Sequence, residues 1–103
     1  MLEVHVTFPN AAEAGALSRM AVERRLAACA NVLPAMHSFY WWDGAVQSED
    51  EVGVVFKTAE AAVDALVAFV VSEHSYEIPA ITVHRPEAVH EPYAAWVERE
   101  ARK

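Results

Sequence analysis

The sequence predicts an α+β domain in the order β-α-β-β-α-β, with one helix added at the end and an antiparallel sheet. Three observations predict it. Residues alternate apolar and polar over Leu2 to Phe8, and in the run to Lys57 the residues Val52, Val54 and Phe56 share one face, the period of a strand. Asp43-Gly44 stands between two long extended segments, where a tight hairpin needs positive φ at both central positions. Val63, Leu66, Val67 and Val70 repeat at i, i+3, i+4 and i+7, the apolar stripe of a helix. With 103 residues the chain has room for a single domain, 1–103, which buries roughly two thirds of its unfolded surface without staples.

The elements follow in order. Leu2, Val4 and Val6 oppose Glu3, His5 and Thr7 along the first strand, and Pro9-Asn10 stops it. Asn10 with Glu13 has the form of a capping box, opening an alanine-rich helix expected to run to about Ala28, with Ala14, Leu17 and Ala21 on one stripe. Ala30 to Trp42 is extended and interrupted at Pro34. After the turn, Ala45 to Lys57 returns as the partner strand. Thr58 is placed to cap the second helix, and a loop through His74-Ser75-Tyr76-Glu77 leads to a short strand, Ala80 to His84. Pro92 suits the first turn of the last helix, which carries Tyr93, Trp96 and Val97 on one side. This is the split βαβ, ferredoxin-like order with a C-terminal helix appended.

Composition excludes several function classes. Fifteen acidic against eight basic residues give a formal charge of −7, with no basic cluster beyond Arg24-Arg25 and Arg102-Lys103. Nucleic-acid affinity rests on cationic contacts with phosphates, so no nucleic-acid partner is expected, and no anionic membrane surface either. The longest apolar stretch, Ala65 to Val71, is too short to cross a bilayer. A single cysteine, Cys29, forms no intrachain disulfide. With no basic segment followed by an apolar one at the start, the expected compartment is the cytoplasm.

Apolar residues make up 54% of the chain, and the extended segment concentrates them. Neighbouring strand residues point to opposite faces, so Phe39 and Trp41 point one way and Tyr40 and Trp42 the other. One layer of helices cannot cover both. Self-association through closed symmetry is the default solution for such a surface, with these four residues at the interface. The competing solution folds segment 86–92 and the last helix over it.

Leu26-Ala-Ala-Cys29-Ala-Asn31-Val32 and Ser38-Phe-Tyr40-Trp-Trp-Asp-Gly44 resemble signatures of the CutA divalent-cation tolerance family. Glu49 and Glu51 leading to Lys57-Thr58, the segment His74-Ser75-Tyr76-Glu77-Ile78-Pro79, and Tyr93 with Trp96 continue the resemblance in register over nearly the whole chain. It implies a ferredoxin-like subunit related in architecture to nitrogen-regulatory signalling proteins, assembled as a homotrimer by edge-to-edge strand pairing. It also implies tolerance to divalent cations, copper especially, with no established catalysis and no required cofactor. Ser75 replaces the family's usual proline, and Ala35 a common glycine. Where some members carry a cysteine and a second histidine considered copper ligands, this chain has Val6 and Glu73.

The candidate metal ligands are His74, Glu77 and Glu73, because imidazole with carboxylates suits Cu(II) or another divalent cation. Held against this is a structural role, His74 closing the helix and Glu77 anchoring the loop. A second candidate is a ligand cleft using Lys57, Tyr76 and Trp96, in which Lys57 at a helix start could meet an anionic metabolite; its competing role is a salt bridge to a nearby acid. Cys29 among small apolar residues reads as buried and inert. His5 and His84 pair only if their strands are neighbours, and His37 and His90 read as loop residues. No His-Asp or Cys-His pairing at a characteristic spacing supports a dimeric ferredoxin-like enzyme with a histidine as general base. The chain is therefore expected to act as a non-enzymatic trimer, with a sensor of an anionic metabolite in inter-subunit clefts as the alternative.

Overall fold

The computed structural model describes residues 1–102. It comprises β1 (Leu2–Phe8), α1 (Ala11–Glu23), β2 (Cys29–Val32), β3 (Met36–Trp42), β4 (Ala45–Thr58), α2 (Val63–Glu73), β5 (Ile81–His84) and α3 (Glu91–Glu100). The sheet runs β2-β4-β1-β5, all pairs antiparallel, with β3 continuing along the β2 side of β4. The predicted α+β order with its added helix is the observed one.

Alternation along β1 does what it predicts. Leu2, Val4, Val6 and Phe8 are buried, and with Val52, Val54 and Phe56 of β4 they face α1 and α2. From α1 come Ala14, Leu17 and Ala21, and from α2 Val63, Leu66, Phe69 and Val70. The alanines bring α1 close to the sheet. Asn10 caps α1 by accepting from the Glu13 N–H at 2.8 Å. Only this half of the capping box forms; Glu13 turns to the loop beyond α2, accepting from the Ser75 N–H at 3.0 Å.

The first helix stops five residues short of the expected Ala28. Arg25 adopts φ 64°, and the Arg25 N–H bonds Val22 O while the Leu26 N–H bonds Ala21 O, both at 3.0 Å. Those two bonds are a Schellman ending. It occurs here on arginine rather than glycine, and it turns Leu26, Ala27 and Ala28 into buried positions.

β2 and β3 are two halves of one strand. Val32 pairs with Val54 and Met36 with Glu51, so four steps on one side match three on the other. Leu33-Pro34-Ala35 is the bulge, at the place where proline cannot donate to a ladder. The hairpin then closes as expected, with φ 53° at Asp43 and 77° at Gly44 between the paired Trp42 and Ala45. His37, expected in a loop, lies instead inside β3, because the strand restarts directly after the bulge.

Thr58 does not cap α2. It is the fully buried last residue of β4, and its hydroxyl donates to the Leu26 carbonyl at 2.7 Å; α2 starts at Val63 after a turn, with Ala62 as a cap lacking a side-chain bond. α3 has Pro92 in its first turn and buries Val97 against Ala28, Ala59 and Ala62 at the opposite end of β4 from the hairpin. It leaves the aromatic hairpin uncovered: Phe39 is 70% and Trp41 75% exposed, with Trp42 and Val46 also open.

Replacing Thr58 by valine removes the one side-chain donor to the Leu26 carbonyl among the described residues. Chemical denaturation at fixed chain concentration should show Thr58→Val less stable by about 1–3 kcal/mol, the cost of a buried unsatisfied acceptor.

Candidate functional site

The site begins with His74. Its backbone N–H closes α2 on Val70 O at 2.9 Å, and its buried ring stacks on Phe8 with centroids 4.6 Å apart. Nε2 lies 2.7 Å from the Thr7 carbonyl, and Nδ1 accepts from the Tyr76 N–H at 3.0 Å. A carbonyl only accepts and an amide N–H only donates, so the ring is the Nε2–H tautomer. It pins the loop after α2 to the end of β1. From there Tyr76 reaches past β1, and its hydroxyl donates to Glu51 Oε2 at 2.6 Å. Glu51 is only 7% exposed.

This contact forms the floor of a cavity of about 560 Å³ on the sheet face away from the helices. Ser38, Tyr40 and Trp42 of β3 make one wall, and Gln47, Glu49 and Glu51 of β4 make the next. Residues of the loop from Ser75 to Ala80 make the third. The lining carries the carboxylates of Glu49, Glu51 and Glu77 and no lysine or arginine. Burial, then the Glu51 carboxylate, raises the Tyr76 hydroxyl pKa well above the ordinary tyrosine value. Partial burial and Glu49 raise Tyr40 in the same direction. A cleft that holds phenols protonated around carboxylates favours positive guests.

The sequence-derived candidates are only partly gathered there. Tyr76 lines the cavity, but Lys57 and Trp96 do not. Lys57 is bonded to the Asn31 side-chain oxygen rather than to an acid, which corrects the expected salt bridge. Trp96 stacks on Tyr93 within α3, 5.8 Å between centroids. His74 is buried with both ring nitrogens engaged, while Glu73 and Glu77 are exposed, and no group of three or more His, Cys, Asp or Glu is gathered for a metal among the described residues. Cys29 is half-buried rather than buried, with Sγ 3.5 Å from the Tyr93 hydroxyl. His5 and His84 do meet across β1 and β5, with centroids 4.2 Å apart.

Two features escaped the sequence. Glu51 as a buried acid had one signal, its place on the same strand face as Glu49 and Gln47. The other is a chain of side chains on the far face of the hairpin: His37 Nδ1 lies 2.7 Å from Asp50 Oδ1, and Nε2 2.6 Å from Ser48 Oγ. The order is that of a nucleophile relay, but the groups stand exposed on a hairpin face opposite the cavity. They act as cross-strand bonds of the hairpin.

Residues 2–100 match the model of the family described as CutA1 divalent ion tolerance protein. The chain belongs to the CutA1 family. It is 35% identical over 103 residues to the divalent-cation tolerance protein CutA of Pyrococcus horikoshii, covering the whole of both. It is 39% identical over 94 residues to human protein CutA, covering 91% of this chain and 52% of that protein. The chain thus spans about half the length of the mammalian relatives it matches. The crystal structure of CutA1 from Pyrococcus horikoshii superposes with TM-score 0.93 at 33% identity over the full length of both chains. That of the PII-like protein CutA from Nostoc sp. PCC 7120 in apo form gives 0.91 at 28% identity, covering 98% and 97%. No helix among the described residues is long and apolar enough to cross a membrane.

All three tyrosines in the chain share the upward shift, and Tyr93, bonded to Cys29 and partly buried, is pushed up to about 12. The folded state holds these protons more tightly than the unfolded chain, whose phenols titrate near ~10. Their contribution to stability is therefore complete below about pH 10 and is lost as pH climbs towards 12. Ultraviolet titration of tyrosinate should stay flat to about pH 10, and Tyr93→Phe should remove the transition near 12. A phenolate signal at the ordinary tyrosine value in the folded protein contradicts the assigned contacts.

Proposed function

We propose that the chain works as a homotrimer in the cytoplasm, without catalysis, in the cellular response to divalent cations, and that its working site is the acidic cleft beside the hairpin. The observation that carries this reading is the hairpin itself. β1 ends opposite Val52, so among the described residues Ala45–Glu51 pair with β3 on one side and with nothing on the other. That open edge is flanked by exposed Phe39, Trp41, Trp42 and Val46. An unpaired, apolar edge strand is a template for another chain, and closed symmetry disposes of it. Tyr40 sits on the cleft wall, so an adjoining subunit on this edge would border the cavity. Names of relatives as divalent-cation tolerance proteins support the cation part of the reading.

Cu(II) binding, on this reading, is weak. The acidic lining draws cations, but both nitrogens of His74 are committed, and Glu73 and Glu77 offer exposed carboxylates without a gathered set. An anionic metabolite is disfavoured in the cavity, since its three lining carboxylates repel it and Lys57 is bonded elsewhere.

Light scattering at micromolar concentration should give three times the 11.4 kDa of one chain. A charge at Trp41 (Trp41→Glu) should shift the protein to smaller species. A stable wild-type monomer with its tryptophans shielded from quencher would overturn the assembly. In calorimetric titration, His74→Ala, checked for folding by circular dichroism, should bind Cu(II) as the wild type does. Loss of copper binding in that folded variant would return His74 to the ligand set.

A further inference from the structure

Two histidines meet outside the cleft, on the seam between β1 and β5. His5 lies between buried Val4 and Val6, so its side chain leaves the sheet on the face away from the helices. The register pairs Glu3 with His84 and His5 with Thr82, which makes His5 and His84 diagonal neighbours on that face. Their rings touch, with centroids 4.2 Å apart and planes tilted by 36°. Solvent reaches both: His5 is half-buried and His84 exposed. Across β1 from them is the C-terminal half of β4, away from the hairpin and its open edge.

Each ring is held by one nitrogen. His5 Nε2 lies 3.0 Å from Glu3 Oε1, and His84 Nε2 lies 2.7 Å from Thr82 Oγ1. A carboxylate only accepts, so the neutral His5 ring carries its proton on Nε2 and keeps a lone pair on Nδ1. The Thr82 hydroxyl can accept in the same way, which leaves His84 Nδ1 bare as well. Among the described residues neither Nδ1 takes a protein hydrogen bond. Neighbouring cations are engaged elsewhere: Lys57, opposite Glu3, bonds Asn31, and Arg85, after His84, bonds Glu60. Glu3 is left to His5.

A carboxylate behind an imidazole whose other nitrogen is bare is the arrangement that orients a histidine for a metal ion. Imidazole suits borderline dications such as Zn(II), Cu(II) and Ni(II), whereas Mg²⁺ takes oxygen ligands. Two imidazoles bound side by side at the usual nitrogen distance of about 2.0 Å place their ring centroids roughly 4.5 Å apart. The observed 4.2 Å is within a small side-chain rotation of that spacing. No larger ligand group is gathered among the described residues, so water completes the coordination.

We propose that His5 and His84 chelate a borderline transition-metal dication through their Nδ1 atoms, with Glu3 orienting His5 and neutralising part of the ion's charge. This site is separate from the acidic cleft and from the hairpin, and it depends on neither reading. Replacing His74 leaves it intact.

Calorimetric titration of the untagged protein with Zn(II) tests it, because this ion has no redox chemistry and reports ligation alone. Wild type should bind one Zn(II) per chain, and Mg²⁺ should not compete for it. Glu3→Gln, which removes only the orienting carboxylate, should weaken Zn(II) by about tenfold. His5→Gln and His84→Gln each remove a ligand and should weaken it further. His90→Gln takes an imidazole from the start of α3, outside the pair, and should change nothing. His84 is exposed at the end of an edge strand, so that variant stays informative even if a change at His5 disturbs β1. With Cu(II) in place of Zn(II), the nitrogen splitting in the electron paramagnetic resonance spectrum should report two imidazoles in wild type and one in either histidine variant. Zn(II) binding that is absent from wild type, or equal in wild type and His84→Gln, overturns the proposal.

Discussion

The length of β4 constrains everything else in this molecule. Fourteen residues of strand extend about 43 Å, whereas α1 and α2, with thirteen and eleven residues, span only about 20 and 17 Å. The helices and the seven residues of β1 therefore serve only the C-terminal half of β4. There Val52, Val54, Phe56 and Thr58 are buried. The N-terminal half, with β3, continues beyond its cover, and the molecule is drawn out to 45 × 26 × 21 Å. Exposed aromatic rings, an unpaired backbone edge and a cleft under the hairpin all follow from that one mismatch.

The second organising feature is a short buried path from fold to site. Thr7 O, the His74 ring, the Tyr76 backbone and hydroxyl, and Glu51 form a run of hydrogen bonds linking the end of β1, the loop after α2 and the middle of β4. Fully satisfied networks of this kind fix geometry, and a broken one leaves costly unpaired groups. His74 thus serves the site without being part of its lining. The histidine that invites a metal assignment is occupied in holding the tyrosine that holds the acid. Glu13 joins from α1, so all three layers of the loop's surroundings meet at one point.

Electrostatics and packing agree in the cleft. Carboxylates gathered there would repel one another if solvent did not reach them, and the open side of the cavity provides that access. Neighbouring phenols, held protonated, donate rather than compete. The opposite hairpin face carries His37, Ser48 and Asp50 in contact beside exposed Phe39. One face of the same two strands is thus a lined pocket and the other a bonded, open surface.

Much of this was determined by local sequence. Alternation over Leu2–Phe8, the Asp43-Gly44 turn, the spacing of Val63, Leu66 and Val70, and Pro92 each act through neighbours a few residues away, so the order of elements and the two-faced aromatic strand were legible. The tertiary structure alone decided the rest. Arg25 takes a left-handed turn that no glycine announces, because the gain lies in burying Leu26 to Ala28 against distant strands. Thr58 leaves its helix-capping role for a carbonyl 32 residues away. Glu51 and Tyr76, separated by 25 positions, become a pair only when the loop after α2 crosses the end of β1. A periodicity reports which face a residue occupies, but not which residue from elsewhere in the chain will meet it there.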